Sequence, residues 1–304
     1  MTFSPGSGLD TSQVSQRSGG GGGLGLPIKV GGGLGGVAVL VIGLFLFGPD
    51  FLNQASDGSA AYDDSQVSSS GSDSLAETCR TGEDANRDAR CRVVGTVNSL
   101  NQYWPSGASA LGVKYARPDA VLTSGSWSTG CGSASSAMGP FYCPADRTAY
   151  FDVGFFDELR SQYGADRGPL AEEYVVAHEF GHHIQALTGD SQRARQGDTG
   201  PQSSSVRLEL QADCYAGVWA ANAAQTSDPV TGEPYLEPLT GDDVKSAVSA
   251  AQAVGDDRIQ RKARGRVTPE SFTHGTAQQR ETWFMRGYSA AEPQTCDTFS
   301  PSTV

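Results

Sequence analysis

The chain has 304 residues, a formal net charge of −12 and a sequence pI near 4.7. That length allows one large domain or two. So acidic a chain lacks the basic face that phosphate recognition needs, which sets nucleic acid aside as a partner.

Residues 1–34 are rich in Gly and Ser, including the stretch GGGGGLGLPIKVGGG. So few large apolar groups do not offset the entropy of ordering, so the composition predicts a disordered tail. The run GGVAVLVIGLFLFG follows, within roughly 18 uncharged positions before Asp50, at the short end of the about 17–25 residues that cross a bilayer. It starts too late for a signal peptide, so residues 35–50 are expected to form one retained transmembrane helix. Arg17 and Lys29 precede it, whereas Asp50, Asp57, Asp63, Asp64 and Asp73 follow it. The positive-inside rule then places the N-terminus in the cytoplasm and the rest outside, in the cell membrane of a bacterium. Residues 51–75, rich in Ser and Asp, read as a stalk, 76–299 as the folded domain and 300–304 as a short tail.

All six cysteines lie beyond the apolar run, as expected of disulfides formed outside the cytosol. Six cysteines permit 15 pairings. Sequence does not choose among them, but the local spacings favour Cys79 with Cys91, Cys131 with Cys143, and Cys214 with Cys296.

Val93, Val97, Leu100 and Trp104 recur at helical spacing before Pro105, predicting an amphipathic helix that ends there. Residues 141–156, FYCPADRTAYFDVGFF, suggest two short strands about a turn, flanked by Tyr142 and Tyr150, which are expected to pack in the core, the alternative being a substrate groove if the hairpin is an edge strand. Pro169, early acids and Gly189 bracket a helix over about 169–188. Further helices are expected over SSSVRLELQADCYAGVWAANAAQ, GDDVKSAVSAAQAV and TAQQRETWFMRGY. GDD at 255–257 reads as a helix cap.

The helix at 169–188 contains HEFGHHIQ, with three of the chain's four histidines. On a helix His178 and His182 project from nearly one face and can share a metal. Glu179 lies about 100° round from His178, beside such a metal and not on it, where a carboxylate can act as a base toward water. His183 is similarly displaced from His182 and is expected to be structural. A catalytic zinc usually takes three protein ligands and keeps one open position. Continuations with Gly and then His or Asp are ruled out, because Gln185 and Thr188 stand there. ELQAD supplies the alternative: Glu209 as third ligand, and Asp213 one turn on, able to accept a hydrogen bond from a liganding His and fix its ring. His274 in FTHG is a candidate donor to a transition-state oxyanion.

Taken in order, VVAHEFGHHIQ, RLELQADCYAGVWA, VGDDRIQ and FTHGTAQQRETWF strongly resemble the bacterial membrane-anchored putative neutral zinc metallopeptidase family. More distantly, HEFGH with ELQAD is similar to the thermolysin-like zincins. The resemblance implies an α+β, zincin-like fold, mainly helical with a small sheet and preceded by the transmembrane helix. It implies one Zn2+ on His178, His182 and Glu209, Glu179 as catalytic base, and a peptide or protein substrate in the cell envelope. The competing expectation is a non-catalytic zinc-stabilised envelope scaffold or binding module.

Overall fold

The computed structural model describes residues 2–18 and 75–304, with the exception of residue 196. The fold is mixed α+β and mainly helical, with one four-stranded sheet and one two-stranded hairpin among the described residues. A short strand β1 (Ser15–Ser18) is followed by helices α1 (Gly82–Arg87) and α2 (Ala89–Ala110). The strands β2 (Asp119–Ser124), β3 (Ser126–Thr129), β4 (Gly132–Ser135), β5 (Phe141–Cys143) and β6 (Thr148–Phe151) come next. Helices α3 (Gly154–Ser161), α4 (Pro169–Thr188), α5 (Ser204–Asn222), α6 (Gly241–Ala253), α7 (Asp256–Arg264) and α8 (Ala277–Ala290) complete the chain.

The larger sheet has the order β1-β2-β6-β5. The pairs β1–β2 and β2–β6 are parallel, with Ser15 opposite Val121 and Asp119 opposite Thr148, while β5 runs antiparallel to β6 with Tyr142 opposite Ala149. β5 is therefore an edge strand. The hairpin β3–β4 lays Trp127 against Phe141 and Tyr150, and these residues form a small separate apolar cluster. The main core gathers Trp104, Phe151, Phe156, Phe180, Tyr215, Trp219 and Phe284, all buried, between the sheet and the helices.

The sequence accounts for these elements locally. Pro169 occupies the first turn of α4 and Gly189 ends it at φ +86°, the left-handed cap that glycine adopts without a Cβ penalty. The Ser203 side chain accepts from Val206 N–H at the start of α5, and Thr240 and Thr276 form capping boxes with Asp243 and Gln279 on α6 and α8. Gly181 lets α4 and α5 approach closely, since a Cβ there would lie 2.8 Å from Ala212 Cα. α2 runs on through Pro105 to Ala110, past the expected stop. One missing backbone donor in a late turn is tolerated because Trp104, Gly107 and Ala108 are buried around it.

Disulfides join Cys79 to Cys91, Cys131 to Cys143 and Cys214 to Cys296. The first ties the segment before α1 to α2, the second ties the β3–β4 turn to β5, and the third ties α5 to the turn after α8.

Two sequence expectations are corrected. Residues 2–18 do not form a tail: Phe3 and Val14 are buried in the main core, and β1 adds a strand to the sheet. Two asparagines hold this segment by its backbone. Asn86 accepts from Phe3 N–H at 2.8 Å and donates to Phe3 O at 2.9 Å, and Asn98 does the same for Asp10 at 2.8 and 3.0 Å. Composition is blind to such docking, because it draws on few apolar groups and on partners distant in sequence.

The second correction concerns the expected membrane helix at 35–50 and the single-pass placement built on it. That run and the expected stalk up to residue 74 lie outside the described residues. Among the described residues no helix is long and apolar enough to cross a membrane. The longest, α2 and α4, carry Arg90 and Arg92, and Glu172, Glu173 and Glu179, respectively, charges that a bilayer core disfavours. Residues 2–18, assigned to the cytoplasmic side, pack into the same core as the remainder, which an intervening bilayer would forbid. A cytoplasmic N-terminus with the domain outside the membrane does not hold.

The buried Phe3 yields a test. Phe3→Ala should lower unfolding stability by about 3–5 kcal/mol, the usual cost of emptying a buried aromatic site. A chain beginning at residue 75 should lose at least as much, measured by denaturant titration against the full chain.

Candidate metal centre

Adjacent faces of α4 and α5 bring His178, His182 and Glu209 together, so that one donor atom from each lies within 4.8 Å of the others. His178 Nε2 is 3.2 Å from Glu209 Oε2, and His182 Nε2 is 3.5 Å from Glu209 Oε1. The imidazole planes cross at 87° with centroids 4.7 Å apart, so the rings converge without stacking. These separations fit a tetrahedral zinc, whose ligands at about 2.0–2.1 Å stand about 3.3–3.4 Å from one another.

Both rings are oriented from behind. His178 Nδ1 lies 2.9 Å from Asp213 Oδ1, and His182 Nδ1 lies 2.9 Å from Gln185 Oε1. Each acceptor takes the proton of Nδ1, so that Nε2 is the nitrogen turned toward the gap. Gln185 is fixed in turn, its amide donating to Leu208 O at 2.6 Å and to Gln211 Oε1 at 3.0 Å. Asp213 is fully buried and also accepts from the Tyr174 hydroxyl and from Arg280, whose Nε and Nη2 stand 2.8 and 2.9 Å from its two oxygens.

The electrostatics favour a cation in the gap. Burial alone would depress His178, but Asp213 and Glu209 outweigh it and carry the ring up to about 10. Burial would raise Glu209, yet the neighbouring His182, His274 and His178 hold it well below the usual carboxylate range. Glu179, buried beside the pair, is pushed up by desolvation, with His182 and His178 opposing, which makes it the more basic carboxylate. The backbone N–H of Tyr142 in β5 acts on the same carboxyl in the opposite sense to burial.

His274 joins the same neighbourhood. Burial would depress it, but Glu209 and Asp256 together raise it, and its Nδ1 lies 3.0 Å from Thr273 Oγ1 and 3.3 Å from Asp256 Oδ1. Asp256 anchors the whole loop: Oδ2 accepts from the backbone N–H groups of Thr273, His274 and Gly275 at 2.8, 2.7 and 3.1 Å. Asp257, its neighbour in GDD, accepts from Ala277 N–H at the start of α8.

Three contributors escaped sequence reasoning. Arg280 sits in a stretch of exposed-type polar residues, and only its spacing from Trp283 and Phe284 hints that it faces inward. Gln185 drew notice only as the residue that excludes another ligand pattern. Asp256 carried a capping signal that gave no hint of its bond to His274. His183 lies on the far side of Glu179 from the gap, its Nε2 2.6 Å from Ala116 O, and burial pushes its ring down to about 4.

A buried helix pair thus presents two histidines and a glutamate to one point, with a further glutamate beside them, a donor set that could hold one metal ion. The family profile described as "putative neutral zinc metallopeptidase" matches residues 8–299, and the chain belongs to that family. An uncharacterized protein of Mycobacterium tuberculosis is 55% identical over 226 residues, covering 74% of this chain and 76% of its own length, and one of Mycobacterium bovis matches equally. The uncharacterized protein YpfJ of Escherichia coli is 45% identical over 204 residues, covering 66% of this chain and 67% of its own. No solved structure matches.

Asp256 gives a pH-dependent test. Burial would raise its carboxyl, but His274 and the backbone donors lower it below 3.8. Its stabilisation is thus present above the unfolded pKa and lost as pH falls through the lower folded value. Asp256→Asn should cost about 1.5–3 kcal/mol at neutral pH, the range for hydrogen bonds to a charged group. In denaturation series from pH 7 downward, the gap to the parent should narrow below pH about 4.

Proposed function

We propose that the protein is a zincin-type peptidase that hydrolyses peptide bonds with one zinc held by His178, His182 and Glu209. The observation that carries this reading is the convergence of those three donor atoms within 4.8 Å, with Glu179 buried at their side.

When bound, zinc supplies Lewis acidity, which lowers the pKa of water toward 7 and polarises a carbonyl. Each protein group has a task around it. Glu179, made more basic by burial, takes the proton from the attacking water and returns it to the leaving amine, so one carboxyl serves as base and then as acid. His274, held by Asp256 and biased toward its protonated form, donates a hydrogen bond to the oxyanion that develops on the substrate carbonyl. Asp213 and Gln185 keep the two liganding rings in one tautomer and one plane.

Three variants of the full chain test the reading on a broad peptide mixture, with zinc measured by elemental analysis. Glu179→Gln should keep its zinc and lose about 100-fold or more in hydrolysis, the scale of a lost general base. His182→Ala and Glu209→Ala should lose most of the zinc and the activity with it. Hydrolysis by Glu179→Gln at the parent rate would overturn the mechanism, and full zinc retention by Glu209→Ala would move the third ligand elsewhere.

A further inference from the structure

The run HEFGHH holds two pairs of side chains four residues apart on neighbouring faces of α4. His178 and His182 turn toward Glu209. Glu179 and His183 lie instead beside Tyr142, the middle residue of β5. The Tyr142 backbone N–H is close enough to the Glu179 carboxyl to oppose the rise that burial causes, while His183 Nδ1 lies 3.0 Å from the Tyr142 hydroxyl.

The hydrogen-bond roles follow from the third partner. Ala116 O, 2.6 Å from His183 Nε2, can only accept, so Nε2 carries the proton. On the neutral ring Nδ1 is then an acceptor, and the Tyr142 O–H donates to it. The ring is fully buried and stands edge-on to Tyr115 and Tyr142, with centroids 5.9 and 5.4 Å away.

β5 has reason to need this hold. It is a three-residue edge strand, laddered on one side to β6, and such short edges have few bonds to keep them in place. The Cys131–Cys143 disulfide secures one end to the β3–β4 turn, and nothing in that link fixes the distance from β5 to α4. That distance sets where the Tyr142 N–H stands, and hence where the Glu179 carboxylate points.

We propose that His183 is a positioning residue: by holding the Tyr142 side chain it sets β5 against α4, so that the Tyr142 N–H orients the carboxylate of Glu179. The consequence for turnover rests on the peptidase reading, whereas the hold on β5 does not. Six successive residues of one helix thus carry the ligand pair and the brace for its base.

The test uses the full chain with His183→Leu, His183→Gln, Tyr142→Phe and the double variant His183→Leu/Tyr142→Phe. Zinc content, kcat and KM on one cleaved peptide, and hydrogen exchange of the Tyr142 amide are measured for each. His183→Leu and Tyr142→Phe should lower kcat about 10- to 100-fold, the effect of a displacement of about 1 Å in a catalytic group. KM should stay within about twofold and zinc should be unchanged. The Gln amide can donate to Ala116 O and accept from Tyr142, so His183→Gln should recover most of the rate. The double variant should be no worse than either single one, because one linkage is being cut twice. Tyr142 amide exchange should quicken in the Leu and Phe variants and return to the parent rate in the Gln variant. Unchanged exchange in His183→Leu and Tyr142→Phe overturns the proposal, as does a loss of rate that merely follows a loss of zinc. If His183→Leu fails to fold, Tyr142→Phe, which removes a single oxygen, decides alone. If the parent cleaves no peptide, the peptidase reading fails by itself and the exchange arm still judges the brace.

Discussion

A fully buried carboxylate, Asp213, is the point on which the rest of the structure turns. It accepts from His178 and Tyr174 on α4 and from Arg280 on α8 while standing on α5. Leaving such a group unpaired in the interior costs about 3–5 kcal/mol, so the three helices are obliged to meet where the carboxylate is satisfied. Gly217 and Gly287 make that meeting possible: a Cβ on either would stand within 2.1 Å of a backbone oxygen on the facing helix, Phe284 O or Cys214 O. The orientation of the His178 ring follows from the packing of the core.

Charge in the gap has the same logic. Glu179, Glu209 and Asp213 gather around two imidazoles, with Arg280 as the one guanidinium in contact with Asp213 among the described residues. Arg280 Nη2 stands 4.0 Å from Glu209 Oε2, farther than from Asp213. It therefore neutralises the carboxylate behind the rings more than the one in front of them, and Glu209 keeps more of its charge facing the gap.

How far the sequence foretold this depends on the range of each interaction. The spans of α4, α5, α6 and α8 were legible because proline, capping residues and apolar spacing act within a few positions. The proximity of Glu209 to the histidines could be read because both motifs sit on strongly apolar helices that have to bury a face. α1 and α3 were missed, being short and rich in charge, and of α7 only its start was signalled, by GDD at 255–257. β2 was missed although four of its residues are buried, since DAVLTS is too brief a run to separate from a loop. The packing of residues 2–18 was illegible in kind: it depends on Asn86, Asn98 and a socket for one phenylalanine, none of which leaves a local periodicity. Arg280 and Gln185 belong to the same class, polar residues whose partners are chosen by the tertiary fold.

The docked N-terminal segment also imposes an order of events on the making of the molecule. Ser4 meets Glu237 across a sequence separation of 233 residues, and Phe3 forms an isolated bridge with Leu236. At about 5–20 residues per second of chain synthesis, residues 2–18 emerge roughly 10–50 s before their last partners exist. Phe3 therefore spends that interval without Leu236 beside it, although Asn86 and Gly95, its other neighbours, are made much earlier. The contacts of the first segment are thus complete only once residues beyond α5 have been made. Whatever handles the early chain has to deliver both ends to the same side of any barrier before the sheet can be completed.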